Sequence, residues 1–225
     1  MTAPLVFEDV PLNQRARTAC TLAVPAHRTV AVLGDEASGV DRLGGYVLGL
    51  EAPPAGRVLV FDTDVASLSE DDRLAFRRRV GYLPAGDGLL QNLTLRDNIA
   101  LPLRFGSTGS PREIDGRVNI MVAALRLGGA ADWRPAQANE EECRRAALAR
   151  AVAFDPGLLV LEQPFDGVTA RVAGELLEVA RGGETAAGAR RAILITGQEI
   201  PIVVQRRCDR VYRLTRAGSL ELETV

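Results

Sequence analysis

Residues Thr29–Asp62 read TVAVLGDEASGVDRLGGYVLGLEAPPAGRVLVFD. Thr29–Leu33 is β-branched or apolar at consecutive positions, as a strand buried on both faces must be. Gly34 and Gly39 then bracket four residues, a helical stretch follows, and a second strand run opens at Arg57. Strand, Gly-x-x-x-x-Gly loop and helix form the scaffold of a phosphate loop, in which backbone N–H groups and a helix N-terminus cradle phosphates. Directly after Gly39, where that motif has lysine and two hydroxyl residues, stand Val40, Asp41 and Arg42.

Further strands are read at Arg57–Phe61, Val80–Leu83, Leu158–Glu162, Ala192–Thr196 and Arg210–Leu214. Their alternation with helical periods is the pattern of parallel βαβ construction. Ser69 before an acidic turn and RLAFRRR reads as a capped surface helix. Between about Leu89 and Phe154 the strand signal stops, and Ile114, Val118, Met121, Val122 and Leu125 fall on one helical face. Asn139 with Glu142 three residues on has the form of a capping box, opening the helix of RRAALARAVAF. Gly106–Pro111 and Gly182–Gly188 read as loops. A helical lobe, about 89–154, is thus inserted into an α/β core of 1–88 and 155–225, the whole forming one domain.

Composition narrows the function. The 225 residues are 47% hydrophobic and 25% charged, near the globular average, so wholesale disorder is excluded. A net charge of −2 and pI of 5.6 argue against nucleic acid as a partner. All 27 basic residues are arginine and the only histidine is His27. The chain therefore offers no lysine for a phosphate loop or a Schiff base, and no His-rich metal site. Cys20, Cys143 and Cys208 match no metal or disulfide spacing and read as packing residues. With no apolar run of membrane-spanning length and no basic-then-apolar leader, the expected compartment is the cytosol.

Three longer stretches carry a resemblance. RRAALARAVAFDPGLLVLEQPFDGV (144–168) looks like the ABC-transporter ATPase segment running from the signature helix into the Walker B strand. RRVGYLPAGDGLLQNLTLRDNIALPLRF (78–105) resembles its Q-loop region, and ITGQEIPIVVQRRCDRVYRL (195–214) its switch region. The likeness spans nearly the whole chain in one order. Within the family, QPFDGV and RRAALARA are most similar to the ATPases of bacterial MCE-type (Mla) lipid transporters. The resemblance implies a RecA-like α/β P-loop core, an N-terminal antiparallel β portion and an inserted helical lobe. It also implies ATP and Mg²⁺ as cofactors, an integral-membrane permease partner, a second ATPase-type subunit (the same chain or another), and a peripheral place on the inner face of the cell membrane.

Carried over residue by residue, the family's functional positions are altered almost throughout. Val40 stands for the phosphate-binding lysine and Asp41 for the hydroxyl that ligates Mg²⁺. Ala85 takes the Q-loop glutamine position, and Asn139, Glu140, Glu141 and Glu142 fall in the signature. Glu162 stands for the Walker B aspartate, Gln163 for the catalytic glutamate and Gly197 for the switch histidine. No aromatic residue lies near Asn13, where adenine would stack.

A lysine ammonium about 4 Å from a phosphate oxygen is worth up to about 4 kcal/mol at an effective dielectric near 20, and Val40 forfeits it. Asp35, Glu36 and Asp41 add negative charge at the loop, which Arg42 offsets only from a helical step away. A glutamine amide cannot take up a proton, so Gln163 is no general base. More ordinary readings stand beside these: the three glutamates complement a helix dipole, Asp41 caps the helix as an internal substitute for the missing anion, and His27 is a turn residue. The joint expectation is a degenerate ATPase-like subunit, binding Mg-ATP weakly or not at all. The alternative is a working ATP-binding subunit that energises lipid transport. If the loop stays open, Val40→Lys with Asp41→Ser should restore some phosphate binding.

Overall fold

The computed structural model describes residues 3–13, 16–106, 109–185 and 188–223. Two strands open the chain, β1 (Leu5–Val10) and β2 (Cys20–Val24), and both alternate buried with more exposed positions. They join β4 (Arg57–Val60) and β5 (Thr63–Asp64) in an antiparallel sheet of order β2-β1-β4-β5. This sheet is the expected N-terminal antiparallel portion.

The second sheet holds the core. It consists of β3 (Thr29–Leu33), β6 (Val80–Leu83), β7 (Leu158–Glu162), β10 (Ala192–Gly197), β11 (Arg210–Leu214) and β12 (Leu220–Leu222), in the order β12-β11-β3-β10-β7-β6. All pairs are parallel except β11 with β12. Continuous apolar runs in β3 and β7 follow from two cores, one on each face. Ala31, Leu33, Leu159 and Leu161 enter one, and Val30, Val32, Leu158 and Val160 the other. A side-chain period of two delivers alternate residues to opposite faces.

After β3 come two 3-10 turns (Glu36–Ser38 and Val40–Arg42) and a short helix, α1 (Leu43–Val47). The helix expected after the glycine loop is therefore broken into pieces. Gly44 and Gly45 weaken helix here, each by about 1 kcal/mol relative to alanine. Helix α2 (Glu70–Arg77) starts at Ser69, whose hydroxyl accepts the Asp72 N–H as the sequence suggests.

Between β6 and β7 the chain is helical: α3 (Leu95–Gly106), α4 (Pro111–Ala124) and α5 (Glu140–Ala151). Val118, Val122 and Leu125 bury the expected face of α4, with Ile114 and Met121 packed against it. The expected loop from Gly106 ends one residue early, because Ser110 and Glu113 form a capping box and Pro111 is already helical; its residues 107–108 lie outside the described ones. Helix α6 (Ala170–Arg181) runs from the Thr169 cap to a left-handed Gly182. The expected loop at 182–188 contains two-residue strands instead, β8 (Glu184–Thr185) and β9 (Gly188–Ala189), with 186–187 outside the described residues. Helix α7 (Ile202–Gln205) precedes β11.

Two strand ends differ from expectation. β4 stops at Val60 because Phe61 and Asp62 are left-handed, with φ of 50° and 63°. β10 extends to Gly197, which pairs with Leu33. His27 is left-handed at φ 64°, consistent with a turn role, and its Nδ1 lies 2.8 Å from the Ala189 carbonyl.

Candidate functional site

The carboxyl ends of β3, β7 and β10 lie side by side, which is where open parallel sheets place their ligands. The ladder continues past the strands, since the Gly34 N–H donates to the Gly197 carbonyl (2.9 Å) and the Gln163 N–H to that of Thr196 (2.7 Å). Six positions singled out from sequence, Val40, Asp41, Ala85, Glu162, Gln163 and Gly197, meet here with Thr196 around one cavity of about 30 Å³. That is about one water's share of liquid volume.

Each wall has a physical cause. Val40 is 5% exposed and packs in the apolar cluster shared with β3 and the antiparallel sheet. Glu162 accepts the Tyr82 hydroxyl at 2.8 Å and the Ala85 N–H at 3.3 Å, both on Oε2. Its other carboxylate oxygen fills the space a Cβ at residue 44 would need, so Gly44 is required by this close approach. Burial raises the Glu162 carboxyl above the ordinary range; the two hydrogen bonds oppose the shift and Asp41 adds to it. Burial, with Glu162 beside it, likewise raises Tyr82. Gln163 is left-handed at φ 45°. Gly197 has room for a side chain, since a Cβ there would stand 3.7 Å from Gln163.

Within the loop, Asp35 and Ser38 are held by each other, and Asp35 also by Arg216. Asp35 accepts the Ser38 N–H at 3.0 Å on Oδ1, and Arg216 donates to Oδ2 through Nε (2.8 Å) and a terminal nitrogen (2.5 Å). That guanidinium holds the Asp35 carboxyl below its ordinary range. The expectation that Asp41 caps the helix is corrected here. Gly39 occupies the cap position before Val40–Arg42 with no side-chain bond, and Asp35 is the carboxylate that captures a loop amide. Arg42 is turned away from the loop, paired with Glu51 at 2.7 Å and placed over the Tyr46 ring. Gly39 is left-handed at φ 83°, and a Cβ there would overlap the Leu12 carbonyl. The Asn13 side chain donates to the carbonyls of Ser38 (3.0 Å) and Arg216 (3.2 Å).

Asn139, Glu140 and Glu141 do not line this cavity; they open α5. Asn139 accepts the Glu142 N–H and Glu142 accepts the Asn139 N–H, each at 2.9 Å. Glu141 pairs with the buried Arg145, which also pairs with Glu175. Glu140 lies over Gly167. Glu142 is thus occupied with capping and Glu141 with ion pairing.

A family model described as ABC transporter matches residues 18–166. The chain belongs to the ABC transporter family. Among its relatives is "Methionine import ATP-binding protein MetN 2" of Pseudomonas aeruginosa, 30% identical over 203 residues, covering 90% of this chain and 58% of that one. MetN of Caulobacter vibrioides is 31% identical over 228 residues, covering 96% and 67%. "Sulfate/thiosulfate import ATP-binding protein CysA" of Yersinia pestis is 36% identical over 163 residues, covering 69% and 42%. The chain thus spans little more than half of the Pseudomonas protein's length. In fold it is similar to the ATP-binding cassette MJ0796, solved as a dimer bound to ADP and Pi (TM-score 0.85, 20% identity, 98% of each chain). It is also similar to cbiO1 of Clostridium perfringens (TM-score 0.80, 16% identity, 100% and 88% coverage). The expected RecA-like core of ABC ATPase type is therefore the fold this family member has.

Sequence reading did not single out Tyr82, Thr196 or Arg216, and it noted Asp35 only as charge. Arg216 is 181 residues from Asp35, so no local pattern pairs them. Tyr82 is set beside the strand that ends in Glu162 only by the pairing of β6 with β7, which the sequence does not show.

Proposed function

We propose that this ABC-family chain is an ATPase-like subunit that does not turn over ATP at its own site and serves a transporter in a structural or regulatory role. The observation that carries this is the cavity of about 30 Å³ where phosphates would lie. The residues present do not fit Mg-ATP. Val40 is core packing rather than a cation, the Glu162 carboxylate is hydrogen-bonded within the protein, and Asp41 places a further carboxylate at the cavity. Glycine at 197 and glutamine at 163 supply neither a γ-phosphate contact nor a general base. In this reading residues 1–225 form a single ATPase-like domain with its lobe at about 89–154.

The partners proposed are an integral-membrane permease and a second ATPase-type subunit, which would keep this chain peripheral on the inner face of the membrane. Among the described residues, no helix is long and apolar enough to cross a membrane. A groove of about 590 Å³ between β6, α3 and α5 offers the permease a seat; it is lined by Tyr82, Leu101, Phe105 and Phe154 and edged by Arg77, Arg78 and Arg150. Phe105 is 83% exposed beside it. For the solute, the likeness of QPFDGV and RRAALARA supports a lipid, whereas the relatives' names support methionine or sulfate. Co-purification of the permease, followed by uptake assays with phospholipid, methionine and sulfate, separates these.

A second reading, a working ATP-binding subunit, is favoured by the same relatives, each named as an ATP-binding protein. Phosphate release by the purified chain with Mg-ATP distinguishes the two. Background release, unchanged in Gln163→Ala, is expected; steady turnover abolished by Gln163→Ala establishes the second reading. Gln163→Glu by itself should restore nothing, because groups that act as a unit cannot be repaired singly.

A further inference from the structure

We propose that the groove between β6, α3 and α5 is a preformed seat whose two banks are held at a set distance by three arginines of α5. Arg144, Arg145 and Arg150 are positioning residues for the permease segment that docks there. The inference rests on the reading of this groove as the permease's seat and adds what fixes its shape.

The groove straddles the boundary between core and lobe. Val80, Tyr82 and Pro84 line it from the core, and Leu101, Phe105 and Phe154 from the lobe. Its width is therefore set by how the lobe sits on the core, and residues 84–90 are the joint between the two. That joint is bonded along its length. The Ala85 N–H donates to Glu162 (3.3 Å), and Arg144 donates to the Gly86 carbonyl (2.5 Å). Arg150 donates to the carbonyls of Asp87 (2.9 Å) and Gly88 (2.8 Å), while the Asp87 carboxylate accepts the Leu89 N–H (2.8 Å). At the lobe end, the buried Asn98 of α3 accepts the Leu90 N–H (2.7 Å) and donates to the Leu90 carbonyl (3.1 Å).

Arg145 fastens the same helix to another part of the core. It pairs with Glu175 on α6 at 2.9 Å and donates to the Leu125 carbonyl at the end of α4 (3.4 Å). Arg144 and Arg145 are each only 5% exposed, so water competes little for these charge-assisted bonds. Apolar packing points the same way. Leu159 and Leu161 of the sheet, Ala146 and Ala147 of α5, and Ile99 and Val118 of the lobe belong to one buried cluster. A pivot of the lobe would have to break the arginine bonds and open that cluster together. A seat already in its binding shape spares the partner the cost of ordering it.

Spin labels on Leu74→Cys and Phe105→Cys, exposed positions lining the groove from α2 and α3, report its width by pulsed electron resonance in the full chain. Burial pushes the Cys20 and Cys208 thiols up to about 12 and also raises Cys143, so the label goes to the introduced cysteines. With all three arginines in place, one narrow distance is expected, the same with and without Mg-ATP. Arg144→Gln and Arg150→Gln should each broaden it. They should also speed amide exchange in 84–90 by about tenfold, the worth of a charge-assisted hydrogen bond, and leave 192–197 unchanged. Arg150→Lys should recover only part of the narrow distance, because a point charge does not span two carbonyls as a guanidinium does. A broad or two-peaked distance with the arginines intact, or one displaced by Mg-ATP, overturns the preformed seat even if a variant fails to fold. An unchanged distance in both glutamine variants overturns the role of the arginines. Failure of a permease to co-purify would overturn the docking reading while a narrow distance stood, so the two failures are distinguishable.

Discussion

The Tyr82 hydroxyl on β6 donates to Glu162 Oε2 at the end of β7, 2.8 Å away, and ties that carboxylate into the wall of the cavity. Because burial dominates the environment of Glu162, its carboxyl is raised above the ordinary range. The protonated form is thus bound more readily in the folded chain than in the unfolded one. The stability this contributes is complete below the ordinary carboxylate value and is lost as pH rises through the folded value. Glu162→Gln should therefore gain stability relative to wild type as pH rises across that window, followed by urea titration at several pH values. A difference that shrinks as pH rises would refute the assignment. Tyr82→Phe should cost about 1–2 kcal/mol, since it leaves a mostly buried carboxylate short of a donor.

The same closure bears on nucleotide. With Mg-ATP at low millimolar concentration, the melting temperature should not move by more than a fraction of a degree. Stabilisation by a ligand scales as RT ln(1 + [L]/Kd) and nearly vanishes when Kd lies far above the ligand concentration. A Mg²⁺-dependent rise of several degrees, read by differential scanning fluorimetry, would show that the cavity opens for nucleotide.

Val40→Lys with Asp41→Ser, promising from sequence as a rescue, should fail in this fold. The Val40 side chain points into an apolar cluster, so an ammonium introduced there must either be buried or drag the loop outward. The expected result is a loss of about 2–4 kcal/mol of stability by urea unfolding, with no gain in pyrophosphate affinity by calorimetry. Recovered binding with undiminished stability would mean that the loop is open in solution.

At the start of α5 the Asn139–Glu142 box should be worth an ordinary cap. Asn139→Ala is expected to cost about 1 kcal/mol, with or without nucleotide, because the Asn139 side chain accepts a helix N–H. A nucleotide-dependent cost would point instead to a signature role for this turn.

Much of this chain was legible before its structure. The continuous apolar runs at Thr29–Leu33 and Leu158–Glu162 determined strands buried on both faces, because only a sheet between two cores consumes side chains in both directions. The Asn139–Glu142 box and the Ser69 cap were equally local, each a hydrogen bond within a few residues. The valine at residue 40, and the other residues that gather around the cavity, were also visible in sequence, because the spacing of a motif is carried by the chain itself. What depended on tertiary structure was the fate of those residues. Whether Val40 faces phosphate or core depends on packing from β3 and the antiparallel sheet, and the capture of Glu162 depends on a tyrosine 80 positions away. Which carboxylate is held against the loop depends on Arg216, 181 positions from Asp35. Contacts between residues so far apart are determined by how strands and loops stack, and periodicity along the chain carries no trace of them.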